Sequence, residues 1–413
     1  MSNSIGSLLA LAVTTSIALA NGGEGERKAN PYQSGTVSWK PGSGIVLADS
    51  DEFALKLANQ LQVQWSFAAN DNAGDTNSFT VRRARTALTG HAFGRDLMYR
   101  LQLEAVDDGA GGNGALKDGW VQWAFSKNDD STIGLRVGQG KTQHGLEATG
   151  SSTGLFFVER STATRTFADV RSRGAWVHGS HNENQVRWAA GVQNGDVSTA
   201  AVAAGLDGGE EAANGDNELT WVGTVSFDPM GDITGGKGNE SYKQGDVDLT
   251  AEELKGTVGA GVMFSNSNVG TDIESTQINI NTAWMFGGGL CAQGEIFLRT
   301  DDATGGDADT SGWYAQGMYV MPKSGDSPIQ WGFGARLNMI DIDATAAALG
   351  IVGTGLGAGV PGAVTELSLV ADALYHGHAC KTQIEYTWQD TDPDGAVTSS
   401  TNHIIRVQFQ LLF

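Results

Sequence analysis

Three arginines, Arg82, Arg83 and Arg85, crowd into the run FTVRRARTALTG. A guanidinium is planar and permanently charged, and its parallel N–H donors match the two-oxygen edge of a phosphate or carboxylate. In extended chain, residues two apart share a face, so Arg83 and Arg85 point one way and Arg82 the other. Arg100, Arg136, Arg187 and Arg406 recur at polar positions of segments with the same alternation. Lined up on one surface without carboxylate partners, Arg83, Arg85, Arg100, Arg136, Arg187 and Arg406 form a track for anions. Paired instead with Glu104, Asp118, Glu295 and Glu385, they form a structural charge network. The sequence leaves both arrangements open.

The elements that must position these groups follow a two-residue rhythm. Leu61, Val63, Trp65 and Phe67 alternate with Gln60, Gln62, Gln64 and Ser66, and Leu97, Tyr99, Leu101 and Leu103 with Arg100, Gln102 and Glu104. The closing run IIRVQFQLLF keeps the pattern to the final Phe413. Each segment is roughly ten to twelve residues, the length a tilted strand needs to cross a bilayer. About sixteen can be placed, an even number that lets antiparallel strands close without an unpaired edge. They lie near 55–67, 79–90, 96–106, 115–125, 131–140, 171–179, 185–194, 218–228, 255–265, 274–286, 289–300, 312–321, 328–340, 364–375, 379–389 and 402–413. Every second connection is short (HAFGRD, SKNDD, SHNEN, FGGG, MPKSGDS, YHGH), as expected on the periplasmic side. The others are long, among them AANDNAGDTNS and 195–217. Residues 229–254 break the rule. They read either as an insertion or as a misplaced strand.

The expected fold is therefore an all-β, transmembrane antiparallel barrel. A cation facing lipid at mid-bilayer costs about 2–4 kcal/mol, so Arg83 and Arg85 should turn into the lumen and Arg82 toward headgroups at the rim. The opening MSNSIGSLLALAVTTSIALA is apolar and ends in small residues, as an export signal does, although no Lys or Arg precedes the apolar stretch. The resulting division is 1–20 signal peptide, 21–54 N-terminal periplasmic segment with a short hairpin, and 55–413 barrel. The net charge of -21 excludes a nucleic-acid partner. The seven histidines are scattered, which disfavours an outer-membrane hydrolase. A surface-structural or adhesive barrel is the other alternative, and strand number argues against it: about sixteen strands enclose water.

Two stretches, FTVRRARTALTG and GQGKTQHGLEATGSSTGLFFVERS, resemble the phosphate-selective porin O and P family, as does VSWKPGSGIVLADSDEFALKLANQLQVQW. The terminal Phe413 is similar to the signal read by the barrel-assembly machinery. The resemblance covers residues 36–180 and the extreme C-terminus and is not traced through 195–275. It implies a sixteen-stranded outer-membrane channel set in lipid and lipopolysaccharide, assembled as a homotrimer, with lumen cations guiding phosphate-like anions. It also implies an inward-folded constriction loop after the fifth strand, here 141–170. Lys141, Arg160 and Arg165 are that loop's cations, and Glu147 and Glu159 its acids, with Glu159 expected to pin the loop to wall arginines. The Lys-rich outer funnel of phosphate porins is absent, and 195–218 carry only acids among their charged residues. A general, cation-tolerant porin is thus the alternative selectivity.

No cofactor is expected. Asp390, Asp392 and Asp394 in DTDPDG match the start of a calcium loop, but its last position is Thr401 instead of Glu. Divalent ions at acidic outer loops are the corresponding expectation. His376 and His378 near Cys380 read as a structural turn, and Cys291 and Cys380 as unpaired thiols within strands.

Overall fold

Strands that alternate in polarity must expose one face to an apolar surround and turn the other inward, and closure is the way to do this without a free edge. The computed structural model describes residues 37–106, 116–168, 171–194, 218–235, 238–249, 251–267, 273–303, 306–325, 327–345, 360–394 and 398–413. The signal expected at 1–20 and the acid-rich 195–217 lie outside them. A small hairpin, β1 (Ser38–Lys40) and β2 (Gly44–Asp49), precedes the sixteen barrel strands. These are β3 (Phe53–Asn70), β4 (Ala73–Ala92), β5 (Leu97–Glu104), β6 (Leu116–Lys127), β7 (Thr132–Lys141), β8 (Arg171–His181), β9 (Val186–Asn194) and β10 (Leu219–Phe227). There follow β11 (Lys255–Ser267), β12 (Ile273–Met285), β13 (Leu290–Ala303), β14 (Ala308–Val320), β15 (Gln330–Ile342), β16 (Gly362–Leu374), β17 (Cys380–Pro393) and β18 (Ser400–Leu412).

Each strand pairs antiparallel with the next, and β18 closes on β3 with Val407 opposite Trp65 and Gln408 opposite Gln64. Val63, Phe79, Trp123, Trp221, Ile280, Trp331 and Phe409 are exposed on the outer face. Gln62, Gln64, Gln102, Gln277, Asn279, Gln383 and Gln408 are buried on the inner one. At one end β2 takes over the edge of β3 where β18 stops, with Ile45 opposite Leu57 and Val46 opposite Lys56. Gly44, at φ 85°, permits this close approach: a Cβ there would lie 2.3 Å from the Leu57 carbonyl oxygen.

One orientation differs from the alternation rule. Gln62 pairs with Arg83 and Val63 with Val81, so Arg82 is a surplus residue in a β-bulge. A bulge re-aims its side chain. Arg82 therefore turns to Glu159 of the constriction loop, away from the headgroup level expected for it.

Residues 229–254 are an insertion, with β10 and β11 paired on either side of it. The inserted segment runs into the lumen from the end that carries the short turns, burying Ile233, Tyr242, Val247 and Ala251. It meets the constriction loop there: the Gln244 amide donates to the Gly154 carbonyl at 2.8 Å.

Two other expectations are corrected by strand length. The Asp390 to Pro393 stretch continues β17, with Asp390 accepting from Thr401 and Asp392 from Ser399. Extended chain cannot curl its ligands around a calcium ion. Among the described residues, no group of three or more His, Cys, Asp or Glu is placed to hold a metal. Asp301, one residue beyond the strand expected at 289–300, lies on β13 facing inward and pairs with Arg299 at 2.7 Å. The His376–His378 turn is structural, and both cysteines are free thiols.

Candidate functional site: a lumen filled from both ends

The constriction loop contains two short helices, α1 (Leu146–Thr149) and α2 (Thr162–Phe167), and its backbone donors and acceptors are met mostly by side chains. Glu295 accepts the amides of Leu146 at 2.9 Å and Glu147 at 2.6 Å, and Tyr314 donates to the same carboxylate. Lys141 donates to the Ala148 carbonyl at 2.7 Å, and Arg160 to the carbonyls of Glu147 and Gly150. These two expected eyelet cations therefore bind loop carbonyls. Further along, Glu385 accepts from the Val158 amide, Asn338 from that of Ala163, and Gln277 donates to the Phe167 carbonyl. A loop without regular structure can be buried only if its backbone is satisfied in this way.

Glu159 meets Arg82 at 2.6 Å and Arg83 at 2.8 Å, pinning the loop to the wall. Burial alone would raise its carboxyl pKa, but the two guanidiniums outweigh burial and hold it well below the usual range. Glu147 accepts from the Ser161 amide at 2.9 Å and from Gln244 of the inserted segment at 2.8 Å. Arg165 donates to Thr162 and has its pKa lowered by burial, which the neighbouring Glu366 and Glu159 oppose. His144 is fully buried beside Phe297 with neither ring nitrogen hydrogen-bonded, and burial pushes its pKa down to about 4.

All six arginines proposed for a track reach the lumen, and each meets a carboxylate there. Arg83 pairs with Glu159, Arg85 with Glu104, Arg100 with Asp118, Arg136 with Glu240, Arg187 with Asp228 and Arg406 with Glu385. Arrangement without acidic partners is thus not what the lumen holds. Glu104, Asp118 and Glu385 were legible as partners from their inward positions. Glu295 instead binds the loop backbone, and Asp228 and Glu240 border or belong to the insertion whose path the alternation does not encode.

The inserted segment is fastened at several points. Arg187 donates to Asp228 at 2.7 Å and 2.8 Å and to Asn239 at 2.9 Å. Tyr242 donates to Gln293 at 3.1 Å, and His378 bonds the Gln244 carbonyl at 2.9 Å. Gly245, at φ 73°, lies against the Phe156 ring, where a Cβ would come within 2.6 Å. Phe156, Phe157 and Val247 pack with Met318, Val320, Val370 and Leu374, so part of the lumen is dry. On the opposite side a cavity of about 440 Å3 remains beside Gln122, Arg136, Trp176, His178 and Arg187.

A closed sixteen-stranded barrel with a long loop fastened inside it defines the porin class of outer-membrane channel. Residues 53–326 match the family described as phosphate-selective porin O and P, and the chain belongs to that family. Solved structures share the architecture. An anion-selective porin from Comamonas acidovorans superposes with a TM-score of 0.58 at 13% identity, over 87% of this chain and 100% of its own. The outer membrane channel DcaP of Acinetobacter baumannii gives 0.56 at 10% identity, over 88% and 98%. OmpT of Vibrio cholerae, in a loop L8 deletion form, gives 0.52 at 13%, over 87% and 100%. No curated protein sequence matches the chain.

Proposed function

We propose that this porin passes small hydrophilic solutes with a bias toward anions, phosphate among them. The observation that carries the reading is the charge around the constriction loop, where Arg82, Arg83, Lys141, Arg160, Arg165, Arg336 and Arg406 outnumber Glu147, Glu159, Glu295, Glu366 and Glu385. Arg82 and Arg100, each with side chains 30% exposed, and Arg406, at 20%, are the groups that touch a passing anion. Arg83, Arg85 and Arg187 are buried and act as fixed positive charge behind them. The family description and the name of the Comamonas porin support the same bias. The trimer form in which OmpT was solved supports a homotrimer, and the apolar run ending at residue 20 supports export by a cleaved signal. The outer face meets lipid and lipopolysaccharide, and Phe413 engages the barrel-assembly machinery.

Reversal potential across planar bilayers in a potassium chloride gradient tests this. Anion selectivity that weakens in Arg82→Ala/Arg406→Ala is the expected result. Cation selectivity would leave a porin whose acidic loops, within a chain of net charge -21, set its preference.

A further inference from the structure

The carboxylates that hold the lumen arginines differ in their access to water. The side chains of Glu104, Asp118, Asp228 and Glu385 are at most 9% exposed and that of Glu159 11%, but Glu240 is 36% exposed. Glu240 also comes from the inserted segment, on the single turn Asn239–Ser241. Its partner is set without it. The Arg136 Nε and Nη2 both donate to the Gln122 Oε1, at 3.0 Å and 2.8 Å, and the guanidinium lies 4.1 Å over the Trp120 ring. Gln143 of the constriction loop donates to the same Glu240 oxygen that Arg136 binds, at 3.3 Å. The cavity of about 440 Å3 opens alongside and is of the size that holds small solutes.

We propose that Arg136, with Gln143, is an oxyanion seat occupied by Glu240, and that a small phosphate- or carboxylate-bearing solute exchanges with Glu240 there. The proposal rests on the reading of an anion-passing lumen. Glu240 is 36% and Arg136 15% exposed, so the pair is more open to water than the other arginine–carboxylate pairs of the lumen, and replacing one oxyanion by another changes the free energy less there. Stacking on Trp120 and the bonds to Gln122 keep the guanidinium plane in place during exchange. The insertion's other anchors, Asp228 with Arg187 and Gln244 with Glu147, are separate from the seat. Exchange therefore releases the Glu240 side chain alone, because Asn239 of the same turn stays bonded to Arg187 at 2.9 Å and to Ser226 at 3.0 Å.

The test titrates inorganic phosphate into the purified full-length protein in detergent, by calorimetry, with the reversal potential of each variant measured in parallel. Glu240→Gln removes the competitor and should tighten phosphate binding about five-fold, the ratio expected for loss of an exposed pair. Arg136→Gln should abolish it. If Glu240→Gln does not fold, Glu240→Asp, which draws the carboxylate back from Arg136, should tighten binding in the same direction. Phosphate affinity unchanged in both Glu240 variants, retained in Arg136→Gln, or undetectable in every form overturns the proposal. A cation-selective reversal potential with the five-fold tightening intact removes the anion-bias reading and leaves the exchange seat standing.

Discussion

The inner faces of β13–β16 and of β5–β10 differ inside one barrel: the first sets apolar clusters among polar groups such as Glu295, Arg336 and Glu366, and the second is mainly polar. On β13–β16, Phe297, Met318, Val320, Ile340, Ile342, Val364, Val370 and Leu374 point inward and are covered by Phe156, Phe157, Phe167 and Val247. On β5–β10, Gln102, Glu104, Asp118, Gln122, Arg136 and Arg187 point inward, the last three beside the open cavity. Both walls obey the same alternation, and both present apolar side chains outward. Alternation therefore separates lipid from lumen and says nothing about whether the lumen is wet. The loops decide that, by covering one wall and leaving the other to solvent.

The contrast can be broken most severely on the wet side. Asp228→Ala leaves the buried Arg187 guanidinium with the more distant Asp232, at 3.4 Å, as its carboxylate, and such a loss costs up to about 3–5 kcal/mol. A lower thermal unfolding midpoint in detergent, with the insertion newly open to protease, is the expected result. On the dry side, Phe156→Ala removes the ring on which Gly245 rests, at about 3–5 kcal/mol. Because water then enters the covered wall, single-channel conductance should rise. No rise would mean that the dry wall is not part of the barrier.

A pH titration probes the boundary between the walls, where His144 sits against Phe297. Its folded pKa of about 4 lies below the ordinary 6.5, so the unfolded chain binds the proton more tightly. The His144 contribution is fully present above pH 6.5 and is lost progressively as pH falls toward about 4, by up to roughly 3 kcal/mol. His144→Phe should flatten that part of the stability profile. Ile340→Val trims one methyl group from the dry wall and should cost about 0.5–1.5 kcal/mol, with selectivity unchanged. Arg95→Ala at the exposed rim, away from both walls, should shift stability by less than about 1 kcal/mol and leave conductance alone.

The barrel was legible because strand period and loop length are local properties. Each of the sixteen segments expected from alternation overlaps an observed barrel strand, and β18 closes the sheet with Phe409 outward as its pattern requires. Arg82 was misread because a bulge depends on cross-strand register, which the VRRAR run does not carry. The pairing of Arg136 with Glu240 spans 104 residues and depends on how far 229–254 reach into the lumen. One signal for the dry wall was present and unused. Ile340 and Ile342 follow Arg336 and Asn338 at inward positions on β15 while Leu337 and Met339 face outward, and the stretch of strand that is apolar on both faces needs a cover.

The hairpin at the start of the chain bears on how the barrel shuts. A β18 displaced by two residues along β3 would keep every side chain on its proper face, so polarity alone does not forbid that error. The edge it would slide into is already taken from Leu57 back to Ala54 by β2. Phe413 stops just short of it, exchanging two backbone hydrogen bonds with Asn59. The first strands thus serve as an end stop for the last one, setting the circumferential stagger of the finished cylinder from residues that form none of its sixteen staves.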